Sequence, residues 1–525
     1  MIGNLLKDPL LTTRFLSGGE ESLTLPGVLG ALQKDEIASF PALRPHQAHP
    51  WHTFLVQLAA LALEGEELPP CRSGEAELPS PATEEIWRRR LRKLTPDHSD
   101  APWCLVVDDL KKPAFFQPPV LDDLSSFKNT TAYPDDLDIL VTARNHGTKA
   151  GQITYPAYED WMFAILTLQT FSGFFGQGNY GVARMNGGFA TRPGVQLVSR
   201  PTIGGQWTRD VRVLLDNPEY HRSWDLPMHS EGHKFLWILP WDGKESLPLN
   251  KLHPWWLEIC RLVRLVESEQ NLTARSVGTK ATRISAKNQR GNVGDPWIPI
   301  LMPDAAAFNS RPTYRVCQSV LFPLPEESKR YQPSLLQQRH APDKGHDLSI
   351  RFRVLNCGQG RTEGYTERTI PIPRQAEQFA FGLRKLDAAR ISRSMVEQAS
   401  TAQFKVLKPA LLRFMQAARE QADFQQPETN SWANAYARDL DKKVDQMFFQ
   451  YLWQCLETIQ NGGGEDNLEH WKRYLRDQVK KIFGEATRSL PVPHALWPKA
   501  LAKAEGQLYG GLRKHLNMTN ETQGV

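Results

Sequence analysis

The sequence predicts an α+β fold: a large mixed α/β region over residues 1–370, followed by a C-terminal bundle of the four-helix type over 374–525. Three observations carry that reading. The chain has 525 residues, room for several domains of roughly 100–200 residues each. Before the Ile370–Arg374 segment (IPIPR), short apolar helices alternate with β-branched runs and many Pro and Gly breaks. After it, 3/4-spaced apolar periodicity continues nearly to the end.

Residues Asn4 to Ala31 read as a strand, a turn at Ser17-Gly18-Gly19, a second strand, and a helix beginning near Pro26. Pro50–Leu63 (PWHTFLVQLAALAL) is a buried helix, too short to span a membrane, and no apolar run approaches the ~18 residues a span requires. Residues 64–83 form a polar loop. Glu84–Leu94 (EEIWRRRLRKL) is an amphipathic helix whose Arg cluster reads as a solvated face. Residues 113–157 show little periodicity, as a functional loop would. Asp160–Phe171 is a second buried helix, followed by a glycine-dense stretch through Gly205. Strands are expected near Arg212–Leu215, Phe235–Leu239, Thr313–Phe322 and Ser349–Leu355. The bundle helices are expected at about 374–398, 401–422, 431–460, 465–487 and 493–516. They break at Gln425-Gln426-Pro427, at Asn461–Gly464 and at Pro491-Val492-Pro493. Val444, Met447, Phe448, Tyr451, Leu452 and Cys455 form the apolar stripe of a packed helix.

Composition limits the chemistry. The 15 Trp and 38 Pro suggest irregular segments pinned by buried rings. The 6 cysteines stand singly, with no CxxC and no zinc spacing, which suits free thiols in a reducing compartment. The N-terminal MIGNLLKDPLL lacks the features of a signal peptide, so a cytoplasmic protein is expected. From Arg374 onward there are 22 Lys and Arg against 17 Asp and Glu, so the whole net charge of +5 falls there and the first 373 residues balance.

Catalytic machinery is not visible. GxxxxGK[ST], HExxH and GxSxG are absent. Gly176-Gln177-Gly178-Asn179-Tyr180-Gly181 has GxGxxG spacing, but it follows a helix rather than the strand that a dinucleotide site needs. His46, His49 and His52, and the pair His229 and His233, read as satisfied histidines rather than metal ligands. Asp108-Asp109 and Asp122-Asp123 sit in loops, where neighbouring side chains diverge. No cofactor and no metal is expected, and no catalytic residue is assigned.

Three segments instead have the make-up of nucleic-acid contacts. Leu140–Ala150 (LVTARNHGTKA) places Arg144, Asn145, His146 and Lys149 around Gly147. Gly173–Arg192 (GFFGQGNYGVARMNGGFATR) supplies donors and close backbone approach through Gly173, Gly176, Gln177, Gly178, Asn179, Gly181, Arg184 and Asn186. Asn271–Val293 carries Arg275, Lys280, Arg283, Lys287 and Arg290 with no acidic residue, and is read as a basic loop that would neutralise phosphates.

These segments, in this order and ahead of a helical bundle, resemble the CasA family, the large subunit of the type I-E CRISPR surveillance complex Cascade. The similarity rests on Asn4–Gly19 (NLL and then R-FLSGG), Pro113-Ala114-Phe115-Phe116-Gln117, Met162–Phe171 running into the glycine stretch, Gly294-Asp295-Pro296-Trp297-Ile298-Pro299, and Gly358–Gly364 (GQGRTEG). Leu10-Leu11-Thr12 stands where the family usually has Trp-Ile-Pro, which marks a divergent member. The resemblance implies a non-catalytic protein that reads a protospacer-adjacent motif (PAM) in double-stranded DNA, promotes strand opening and R-loop formation, and recruits a separate helicase-nuclease. It implies as partners the other Cascade subunits and the 5′ handle region of the CRISPR guide RNA, and no membrane. Carried over by position, the glycine loop is Gly173–Gly181 with Arg184–Gly188 adjacent. The lysine finger is Lys287, with Lys280 and Arg283 as alternatives. The strand-separating wedge is Gln359, with Arg361 and Thr362 competing, and the guide-anchoring loop is Thr142–Ala150. Minor-groove readout is degenerate, which suits a short motif when guide pairing carries the main specificity. Two other readings stay open at the sequence: a metal-dependent nuclease using His146 or the His229/His233 pair, and a purely structural ribonucleoprotein scaffold.

Overall fold

A computed structural model describes the chain apart from residues 71–73, 81–82, 139–152, 172–191, 269–270, 287, 290–291, 303–306, 309, 359–360, 418, 420–422, 424, 463–467 and 518–525. The chain divides into two compact units, one of Met1–Pro312 with Ser328–Pro371, the other of Thr313–Glu327 with Ile372–Val525. No helix among the described residues is long and apolar enough to cross a membrane.

In the larger unit five helices, Leu25–Gln33, Ala48–Ala62, Glu84–Lys93, Tyr158–Phe171 and Ile203–Asp216, surround one apolar core. Their caps follow the sequence: Thr24, Thr83 and Thr202 each accept a backbone N–H of the first turn. Aromatic rings dominate the core. Trp87, Trp103, Trp161, Trp207, Trp237, Trp256 and Trp297 are all essentially without exposed surface, and Phe116 stacks on Trp237, which stacks on Phe235. The Pro113–Gln117 motif is part of this core. Gln117 donates to the Leu105 and Phe115 carbonyls and accepts from the Leu265 N–H at 2.6 Å. Phe116 adopts a positive φ of 54° to turn the chain there.

Small sheets lie around the helices. Leu11–Phe15 pairs antiparallel with Glu20–Leu23 through the Gly18-Gly19 turn, and both glycines have positive φ. Asn271–Val277 pairs with Leu262–Ser268 and with Asn129–Thr131. Leu348–Gly358 lies between Arg361–Ile372 and Gly194–Val198. Among the described residues, Cys104, Cys260, Cys317 and Cys455 are buried and none of them is in a disulfide. Burial pushes Cys104 and Cys455 up to about 11 and Cys260 to about 12.

Several expectations need correction. Arg212–Leu215 belongs to the Ile203–Asp216 helix, where Thr202 caps the start and Arg212 pairs with Asp216 one turn on. Thr313–Phe322 is also helical: Tyr314–Leu321 buries Tyr314, Cys317 and Val320, a three-residue repeat that overrides the β-branched composition. Near Phe235–Leu239 the strand stops at Phe235 and a 3-10 turn follows over Leu236–Ile238. The Arg cluster of Glu84–Lys93 is largely spent on intramolecular partners. Arg88 pairs with Glu84 and Glu85, Arg90 with Glu66 at 2.5 Å, and Arg92 with Asp100 at 2.9 Å.

The smaller unit is the helical bundle. No break occurs near residue 400: Lys385–Thr401 continues through a π-helical turn at Ala402–Leu407 into Lys408–Met415. Pro427–Gln460, Glu469–Ser489 and Trp497–Leu516 follow. The expected stripe is present, with Val444, Phe448, Leu452 and Cys455 buried and Met447 and Tyr451 half-buried at its edge. Tyr314–Leu321 completes the bundle from an earlier part of the chain. The Tyr314 ring packs on Phe448 and its hydroxyl donates to Asp441 at 2.9 Å, while Gln318 donates to Ser392 at 3.1 Å.

Candidate nucleic-acid interface

The site is best built from the strand Gly194–Val198. It runs antiparallel to Leu348–Gly358 with Gly194 opposite Arg353, Gln196 opposite Arg351 and Val198 opposite Ser349. Chain entering this strand at Gly194 therefore arrives from the end toward which Leu348–Gly358 continues past Arg353. Val354–Gly358 extends that arm by about 15 Å at ~3.3 Å per residue, and Arg361–Ile372 returns beside it. The glycine stretch and the turn of the long hairpin are thus attached at one end of one sheet.

The basic segment is tied to the same end. Arg192 donates to Asp295 at 2.5 Å, to Thr53 at 3.0 Å and to Gln57 at 3.2 Å, with its guanidinium 5.1 Å from the centre of the Trp297 ring. Both partners of this ion pair are buried. Three residues on from Arg192, the Val195 N–H donates to the Trp297 carbonyl at 2.9 Å. Gly294 takes a φ of +68°, and a Cβ there would stand 3.0 Å from Leu226. The Gly294–Trp297 motif is therefore a clamp that fixes where the basic segment ends relative to where the glycine stretch ends.

Both ends of the glycine stretch meet His49. The ring of Phe171, the last residue before it, lies edge-on to the imidazole at 5.3 Å. On the other side a Cβ at Gly194 would lie 2.2 Å from His49 Nε2. Burial, with Arg353 and Arg192 nearby, holds the His49 pKa well below the usual histidine value, so the ring is neutral. The helix leading into the stretch is locked by Gln169, whose amide donates to the Phe116 and Arg261 carbonyls and accepts from the Cys260 and Arg261 N–H groups, at 2.8–3.0 Å. His49 and Gln169 are the positioning residues that sequence reasoning missed. Their contacts are long-range, and only the tight packing allowed by a glycine at 194 hints at them.

A buried charge network backs the sheet. Asp210 accepts from His52 at 2.7 Å, Gln206 at 3.0 Å, Arg209 at 3.0 Å and also from Gln196. Arg209, itself wholly buried, also binds Asp343 through two nitrogens at 2.9 and 2.7 Å. Asp343 accepts in turn from the Ser199 hydroxyl at 2.6 Å. The result is a strand held from behind by fixed charges, with little freedom to slide.

The expected site residues fall as follows. Gly173, Gly176, Gln177, Gly178, Asn179, Gly181, Arg184 and Asn186 lie outside the described residues, as do Lys287, Gln359, Arg144, Asn145, His146 and Lys149. Arg361 and Thr362 open the returning strand Arg361–Ile372. Lys280 is exposed on the turn after Asn271–Val277, its N–H donating to the Gly243 carbonyl at 2.7 Å. Arg283 must be set aside as a groove contact. It is buried, its guanidinium reaches the Leu236 and Leu239 carbonyls at 3.4 Å over the Trp241 ring, and burial lowers it to about 10. The segment 271–293 is not a loop throughout, since its first seven residues are the sheet strand Asn271–Val277. The base of 139–152 is fixed by Asp138, which accepts from His46 at 2.7 Å and Gln47 at 2.8 Å, and by Asp135, which accepts the Ile153 N–H at 3.4 Å. His229 and His233 do not share a helical face: His233 opens a strand, and His229 Nε2 bonds the Asn250 carbonyl at 3.0 Å.

Solved structures share this fold. Thermus thermophilus CasA (Cse1) is similar over 98% of this chain and 99% of its own, with a TM-score of 0.64 at 16% identity. Cse1 from Acidimicrobium ferrooxidans covers the same shares with a TM-score of 0.67 at 13% identity, and Thermobifida fusca Cse1 covers 98% of both chains with a TM-score of 0.62 at 16% identity. The chain has the CasA fold. No family model matches the sequence, and no curated protein matches it either.

Proposed function

We propose that this protein is the non-catalytic large subunit of a Cascade-type CRISPR surveillance complex, working in the cytoplasm. In this reading it recognises the PAM in duplex DNA, promotes strand opening and R-loop formation, and recruits the helicase-nuclease. One observation carries the reading: on a CasA fold spanning the chain, the glycine stretch, the basic segment and the long hairpin are rooted at one end of one sheet. Rooted together, a glycine backbone and a lysine can address one minor groove while the hairpin turn meets the adjacent base step. Gly173–Gly181 and Lys287 are the proposed reading elements, and Lys280 is a neighbouring phosphate contact. Gln359 is the proposed wedge, flanked by Arg361 and Thr362. Arg144, Asn145, His146 and Lys149 are proposed to engage the 5′ handle of the guide RNA, a junction that also seats the other Cascade subunits.

The test is duplex binding by the assembled complex across a set of motif sequences. Lys287→Ala should reduce motif-dependent affinity about tenfold, the loss expected for one base-edge contact. Gln359→Ala should leave initial binding intact while slowing strand opening, read by permanganate reactivity beside the motif. If neither substitution changes motif-dependent affinity or opening, the protein is a scaffold. Divalent-dependent cutting that disappears in His146→Ala would make it a nuclease.

A further inference from the structure

Behind the Gly194–Val198 and Leu348–Gly358 strands lies a cavity of about 180 Å³ that the nucleic-acid reading does not use. Its polar side is the sheet itself: Gln196 and Arg351 stand opposite each other in register, with Arg353 two residues on. Its apolar side is aromatic, from Trp51 and Trp207, and Ile203 stands at the rim, 36% exposed. Concave, mostly apolar walls with a few converging polar groups are the ordinary form of a small-molecule site.

Two features indicate what such a molecule would be. The first is charge. Among the described residues, three guanidiniums line the cavity, those of Arg200, Arg351 and Arg353, and no carboxylate does. Arg351 and Arg353 share one acid, Glu367, at 3.4 and 3.0 Å. Arg200 is spent on the Gly74 and Pro342 carbonyls and on the His346 ring. The nearby Asp210 is already filled by its own donors, and burial keeps His52 on the neutral side despite that acid. The second feature is unmet hydrogen bonding. Gln196 Oε1, Trp51 Nε1 and Trp207 Nε1 are buried without a partner among the described residues, although native proteins rarely leave such groups unsatisfied. Surplus positive charge on one wall, aromatic rings on the other and idle indole donors suit a flat apolar body bearing one anionic group.

We infer that the cavity binds a small aromatic carboxylate, its ring between Trp51 and Trp207 and its carboxylate on Arg351 and Arg353. This does not depend on the nucleic-acid reading.

The probe is benzoate, titrated into the full-length protein by calorimetry and ligand-observed NMR. Benzyl alcohol serves as the uncharged analogue and acetate as the ringless one. Benzoate should bind saturably, at least tenfold more tightly than either control, and raise the melting temperature. Arg351→Gln and Arg353→Gln should each weaken it at least tenfold. Ile203→Trp, which fills the rim without changing charge, should abolish binding while circular dichroism shows an intact fold. Absence of saturable benzoate binding would overturn the inference, as would equal binding of benzyl alcohol or acetate, or wild-type affinity in the Ile203→Trp protein.

Discussion

At the scale of single residues, the Arg192–Asp295 pair shows how a charge can be used for position. Neither partner has access to water, so each is stable only because the other is present. Asp295→Asn keeps the shape and removes the counter-charge, leaving Arg192 with Thr53, Gln57 and the Trp297 face. A loss of about 3 kcal/mol in denaturant unfolding is expected, and duplex binding should fall with it if the clamp sets the spacing of the two segments. Glu64 provides a pH-dependent counterpart. Partial burial pulls its carboxyl up, but hydrogen bonds from His253 at 2.8 Å and Lys234 at 2.5 Å outweigh that and hold it at about 2. Because the folded value is depressed, the stabilisation is complete above the unfolded value near 4.5 and is lost as pH falls toward 2. Glu64→Gln should therefore cost about 1 kcal/mol at pH 6, a modest figure because the pair is partly solvated. Unfolding midpoints of the two proteins should converge by pH 2.

At the scale of elements, the strand Gly194–Val198 is short yet has little latitude. Its first residue has no room for a side chain against His49. Gly194→Ala should cost several kcal/mol or shift the strand, as overpacking of a rigid site does. Adding His49→Ala should recover part of that loss, and a double-mutant cycle on melting temperature would measure the recovery. This strand also marks the limit of what the residues alone disclose. The buried helices at Pro50–Leu63 and Asp160–Phe171 were legible because apolar content and length suffice to define them, and the bundle stripe at Val444–Cys455 because it repeats. Tyr314–Leu321 was not, because eight residues rich in Val, Cys and Ser are decided by the partner they pack against. Nor was Arg283, since a guanidinium in a basic run looks the same whether it faces water or caps two carbonyls. The convergence at His49 joins residues more than a hundred positions apart, and no local pattern encodes it.

At the scale of the whole molecule, the chain contributes to the helical bundle twice. Residues 313–327 belong to it, the chain then returns to the larger unit for 328–371, and the remaining helices follow. A fragment starting at Ile372 should thus lack Tyr314 against Phe448, along with the Tyr314 hydroxyl and N–H that Asp441 and Asp445 accept. Its melting temperature should lie several degrees below that of the same fragment with residues 313–327 joined to it, and a synthetic 313–327 peptide added in trans should restore part of the difference.

The same arrangement has a consequence for synthesis. Tyr314 meets Asp441 across 127 residues, so at roughly 5–20 residues per second the ribosome needs about 6–25 seconds to supply the partner. Throughout that interval the nascent chain carries uncovered the face of Tyr314 that packs on Phe448. Slow codons placed between positions 330 and 440 would prolong the exposure and should raise the aggregated fraction, whereas the same codons placed after 516 would leave the yield unchanged.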